Sequence, residues 1–133
     1  MLSFPLDEVR AIIDRGRTDA KTHGGFRNPY RSLHPVSDEQ PGLWLVGDRG
    51  VYLCSNGKLA DGARPLTAYA EECDPNTCED WFEVKRRTFG GDDGVEFLDA
   101  KQLEAMMAAS PNATHLRVAF SSGALQLCLV ERL

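Results

Sequence analysis

The stretch GLWLVGDRGVYLCSNG, residues 42–57, decides how this chain is read. Residues 43–46 and 51–54 are dense in large apolar side chains and are separated by Gly-Asp-Arg-Gly, the pattern of two strands and a turn. A bare two-residue loop at Asp48 and Arg49 would need positive φ at both, which suits Arg poorly. A type I turn over those residues with Gly50 as a bulge needs only what is present. That register sets Val46 opposite Tyr52 and Leu45 opposite Leu53. One face then carries Leu43, Leu45, Val51 and Leu53; the other carries Trp44, Val46, Tyr52 and Cys54. Two apolar faces imply cover on both sides. SNG at 55–57 reads as a second turn.

Working outward, LTAYAEE at 66–72 is a third, weaker strand. DPNTCEDWFEVKRRTFGG at 74–91 has helix punctuation: Asp74 to cap, Pro75 at the first turn, Gly90 at the end. GVEFLD at 94–99 is a short strand. Asp99 then opens a helix, with Gln102 completing a capping box and Leu103, Met106 and Met107 forming its buried stripe. The chain closes with a hairpin, HLRVAF-SSG-ALQLCLV, in which Leu116, Val118 and Phe120 alternate inward, as do Leu125, Leu127 and Leu129. Upstream, Val9, Ile12, Ile13, Gly16 and Ala20 form one helical stripe, with Asp7 and Glu8 in the first turn and Gly24 and Gly25 at the stop. Residues 22–42 have no period and read as a long irregular loop.

The expected order is α-β-β-β-α-β-α-β-β. This is an α+β fold with one mostly antiparallel sheet of about six strands and three helices. The fourth and fifth strands would form a parallel, right-handed crossover if they share a sheet. The 133 residues fit a single domain, 1–133. The start has no signal-peptide pattern, and no apolar run nears the ~20 residues of a membrane span. A cytoplasmic setting, with its four cysteines reduced, follows as the expectation.

The net charge of −5 is unevenly spread. Residues 71–104 hold eleven acids against four bases, a net of −7, and leave the rest slightly positive. Such a surface repels phosphate backbones and suits a basic protein groove. The plain alternative is a solvated face that keeps the protein soluble.

Signals for chemistry are thin. Cys73 and Cys78 have a metal-ligand-like spacing but no second pair, because Cys54 and Cys128 sit singly on strands. Asp92 and Asp93 in FGGDDG resemble the paired aspartates of two-metal loops, yet here they join a helix to a strand. Gly and Asp are also what a helix end and turn require. His23, His34 and His115 lack a nucleophile elbow, and the pairing of His115 with Cys128 across the last hairpin has only neighbouring strands behind it. Phe26, Arg27, Tyr30 and Arg31 could stack on a nucleic acid strand, but two arginines are few for that task.

Together, GLWLVGDRGVYLCSNG and FGGDDGVEFLDA resemble the signature segments of a bacterial domain-of-unknown-function family of short proteins from proteobacterial plasmids, phages and integrated elements. The resemblance implies a mobile-element accessory gene, a class that often encodes small inhibitors of host defence, including anti-restriction and anti-CRISPR proteins. It implies no catalytic residue and no cofactor.

The resulting expectation is a non-enzymatic protein-binding module that inhibits a host defence nuclease. Its partner would be a protein with a basic surface, such as a host nucleic-acid-binding complex, rather than nucleic acid or membrane. The expected contact residues are Glu71, Glu72, Glu79, Asp80, Glu83, Asp92 and Asp93, joined by Trp44 and Tyr52. The alternatives are a metal- or small-ligand-dependent enzyme or binding domain using Asp92 and Asp93, and a structural homo-oligomer with Trp44 and Tyr52 at its interface.

Overall fold

The computed structural model describes residues 2–30, 39–47, 50–71, 94–121 and 124–132. The first element, β1 (Leu2–Pro5), is a strand that the sequence reading does not assign. It leads directly into α1 (Leu6–His23), whose start and end follow expectation. Leu6, Val9, Ile12, Ile13, Gly16 and Ala20 are buried along one stripe. Asp7 and Glu8 complement the dipole at one end, Lys21 and His23 at the other. Gly24 ends the helix at φ 83, a conformation that costs glycine nothing.

The decisive hairpin is β2 (Gly42–Gly47) and β3 (Val51–Ser55). Leu45 lies opposite Leu53 and Val46 opposite Tyr52, the register expected. Gly50 takes φ 123, where a side chain would be strained, and so supplies the turn's demand; Asp48 and Arg49 lie outside the described residues. β4 (Thr67–Tyr69) pairs with β3, and β5 (Val95–Asp99) pairs with β2. The sheet order is β4-β3-β2-β5.

β5 turns straight into α2 (Ala100–Ala109). The Asp99 carboxylate accepts from Lys101 N at 2.9 Å, so it caps the helix at its second amide. Leu103 and Met107 are buried, and Met106 packs against the core from a half-exposed position. The chain ends in the hairpin of β6 (His115–Ser121) and β7 (Ala124–Val130), and β1 adds to its other side, giving the order β1-β6-β7.

Three expectations therefore change. Among the described residues the strands form two sheets, of three and four members, and every pairing is antiparallel. β5 and β6 belong to different sheets, so α2 makes no parallel crossover. Two helices and seven strands occur among the described residues, and the helix expected over 74–91 falls outside them. The physical reason is α1. Its wide apolar stripe lies against strands of both sheets and separates the last hairpin from the first. The sheets meet where Glu71 N donates to Ser3 O at 2.8 Å.

The main core joins Phe4, Leu116 and Val118 of one sheet to Leu43, Leu45, Val51 and Leu53 of the other through Val9, Ile12 and Ile13 of α1. At ~1.5–3 kcal/mol per fully buried aliphatic side chain, this cluster is the main source of stability.

SNG is not a tight turn. Ser55, Asn56 and Gly57 are all buried. The Asn56 side chain accepts from Gly42 N at 3.0 Å and donates to Gln40 O at 2.9 Å. Its carbonyl receives Arg27 N at 2.7 Å. Gly57 pairs with Phe26, and a Cβ there would strike the carbonyl of Gly16 in α1. The segment thus clamps the entry to β2 and lets α1 pass close to the end of β3.

Candidate interaction surface

The four-stranded sheet has a second apolar layer on the face away from α1. Trp44 is 1% exposed, with Tyr30 edge-on at 5.0 Å and Phe97 at 5.0 Å. Val46, Cys54 and Val95 complete the layer. Trp44 therefore contributes packing, not docking surface. The face that the hairpin pattern marks as needing cover is covered, by Tyr30 and Phe97 among the described residues.

Tyr52 lies at the rim of that layer, half-buried, with its ring 5.4 Å from that of Tyr69. Ala68 points inward and is buried, which turns Thr67 and Tyr69 outward. Tyr69 is 63% exposed and Leu66 42%; they are the exposed large hydrophobic residues among those described. Both sit on or beside β4, the edge strand. Sequence reasoning missed them, because LTAYAEE at 66–72 does not say which face Tyr69 takes. Tyr69 also overlies Gly50, where a Cβ would come no nearer than 4.0 Å to the ring.

Two residues beyond β4 stands Glu71, the first of the expected acidic contacts. Its Oε2 receives His115 Nε2 at 3.2 Å and Arg132 Nη1 at 3.3 Å. The carboxylate keeps 43% exposure, but its charge is already shared with groups of the last hairpin. Glu71 thus ties the two sheets together as well as opening the acidic run. Glu72, Glu79, Asp80, Glu83, Asp92 and Asp93 lie outside the described residues, as do Cys73, Cys78 and His34.

His115 has its other nitrogen, Nδ1, 2.8 Å from Thr114 Oγ1. A hydroxyl, an imidazole and a carboxylate in series is the geometry of an activated nucleophile. Here the hydroxyl serves the backbone: it accepts from Arg132 N at 2.9 Å and lies 3.5 Å from Val130 O. The chain of bonds pins the ends of β6 and β7. Register sets His115 opposite Val130 and Arg117 opposite Cys128, so Cys128 sits a diagonal step from His115. Cys128 is exposed, whereas burial pushes the Cys54 thiol up to about 11. Among the described residues no three His, Cys, Asp or Glu side chains are grouped to hold a metal ion. None of their helices is long and apolar enough to cross a membrane.

A further ion pair joins the helices. Arg17 binds Glu104 through both guanidinium nitrogens at 2.5 and 2.6 Å, a bidentate geometry that holds the Glu104 carboxyl below the usual range.

A family model described as a protein of unknown function (DUF3085) matches residues 41–128. No curated protein and no solved structure matches the chain. The matched span begins one residue before β2 and ends within β7, so β1 and α1 lie ahead of it.

Proposed function

The chain belongs to the DUF3085 family, and from that premise and the surface around β4 we propose that it is a small, non-enzymatic protein-binding accessory protein. It serves a mobile element of proteobacteria and inhibits a host defence nuclease, of the restriction or CRISPR kind. The observation that carries the reading is the exposed pair Tyr69, on an edge strand with its ring 5.4 Å from that of Tyr52, and Leu66 just before that strand, leading directly into the acidic segment that starts at Glu71. Aromatic area supplies an anchor with little rotamer freedom to lose. The carboxylates steer a basic groove onto that anchor and occupy positions meant for phosphates.

The test is the plating efficiency of unmodified phage on restricting and CRISPR-immune hosts that express the protein. Wild type is expected to raise plating on at least one host. Tyr69→Ala with Leu66→Ala should abolish the effect, as should charge reversal at Glu79, Asp80, Asp92 and Asp93, with the thermal midpoint kept by the first variant. Unchanged plating with wild type on every host removes the nuclease-inhibitor reading. Protection that survives both variants removes the surface.

A further inference from the structure

β7 is the outer strand of the three-stranded sheet, and among the described residues it pairs with β6 alone. Such a strand presents a row of unpaired amides and carbonyls, which proteins blunt with charge, proline, bulges or shortness. The other outer strands here carry those devices. β4 has three residues, β5 carries Glu96 and Asp99, and β1 ends in Pro5 and is bridged to Glu71 through Ser3. β7 has none of them: ALQLCLV is seven residues with no charge and no proline. Its outward side chains, Ala124, Gln126 and Cys128, are exposed, and its inward Leu125, Leu127 and Leu129 are only half-buried. Below Leu125 and Leu127 lies a groove of about 360 Å³, walled by Glu96, Phe97 and Leu98 of β5 and by Gln102 and Met106 of α2.

We propose that β7 pairs antiparallel with β7 of a second copy, joining two three-stranded sheets into one of six strands. The strand is its own complement in one register, centred on Leu127. That register sets Ala124 against Val130 of the second copy, Leu125 against its Leu129, and Gln126 against its Cys128. All seven residues pair, and the charged Glu131 and Arg132 fall beyond the pairing. The second copy's leucine row extends the inner face over the groove. A two-fold axis through Leu127 closes the assembly at two chains, so the exposed edge is consumed instead of propagating.

The test is mass in solution, by sedimentation in reducing buffer from micromolar to millimolar concentration. Wild type should approach twice the 14.7 kDa of one chain. Gln126→Lys with Cys128→Lys sets lysine against lysine twice across the pair, at exposed positions, and should weaken the dimer roughly tenfold or more. Gln126→Lys with Cys128→Glu sets lysine against glutamate in the same register and should restore it. A 14.7 kDa species for wild type over the whole range overturns the proposal. So does a dimer indifferent to the double-lysine variant, or one that the Lys and Glu combination fails to recover.

Discussion

Asn56 is the most informative single position to perturb. Its side chain satisfies two backbone groups that otherwise have no partner in the clamp: the amide of Gly42, which is buried, and the carbonyl of Gln40, which is half-exposed. Asn56→Ala leaves the Gly42 amide orphaned, at about 1–3 kcal/mol, while the Gln40 carbonyl can recruit water and costs about 0.5–1 kcal/mol. The expected total is therefore about 3 kcal/mol, or roughly 10 °C in Tm for a chain of this length. Against a typical domain stability of about 5–15 kcal/mol, the variant still folds at room temperature. Asn56→Asp separates this account from simple loss of packing. It keeps the acceptor for Gly42 but turns a carboxylate oxygen toward the Gln40 carbonyl, in a site 1% exposed. At pH 7 it should be worse than Ala, by about 1 kcal/mol or more. Burial and the facing carbonyl raise the introduced carboxyl's pKa in the folded state. Its protonated form donates to Gln40, so stability relative to wild type should recover as pH falls and be lost as pH rises through that value. Urea unfolding of the three proteins at pH 7 and pH 4.5 checks this. An alanine cost under about 0.5 kcal/mol, or an aspartate variant no worse than alanine, refutes the clamp.

Other outcomes follow from the same geometry. Gly57→Ala places its Cβ on the Gly16 carbonyl and 2.9 Å from Asp19 Cβ, so helix backbone must move; the expected loss is about 2–3 kcal/mol in thermal unfolding. The Glu104 carboxyl is lowered chiefly by its bond to Arg17, so its stabilisation is present above the unfolded carboxylate pKa and lost as pH falls through the folded one. Glu104→Gln should therefore cost about 0.5 kcal/mol at pH 7, discounted for a pair that is 38% and 40% exposed, and nothing at the acid end of a pH-stability curve. Alkylation at pH 8 should label Cys128 quickly and Cys54 only on unfolding, because burial keeps the Cys54 thiol protonated; peptide mass spectrometry reads the difference.

The strands and register of the first hairpin are legible because two independent signals agree: large apolar residues on both faces, and a glycine where the turn needs positive φ. α1 and α2 were legible from period and punctuation. β1 was not, because LSFP is four residues ending in proline, too short for a period, and its strand character comes from β6. Nor was the division into two sheets: alternation says which face a residue takes, not which strand lies beside it. SNG has turn composition, and only the positions of Gly42 and Gln40 make Asn56 a clamp. On the surface, the pattern calls for cover over Trp44 but does not say what supplies it: Tyr30 and Phe97 come from a loop and another strand. Tyr69 escaped notice because a three-residue strand leaves exposure undetermined until Ala68 is seen to point inward.

The pairing of β1 with β6 has a consequence during synthesis. Leu2 and Phe4 leave the ribosome long before their partners Val118 and Leu116, which follow more than a hundred residues later. At about 5–20 residues per second, that gap is roughly 6–20 s. Through that interval the first hairpin can fold and cover one flank of α1, while Phe4 and the flank meant for β6 stay wet. The nascent chain is thus a half-built layer that holds its apolar helix ready. Closing β1 onto the hairpin of β6 and β7, a step with a long loop to shut, is the event that assembles the three-stranded sheet.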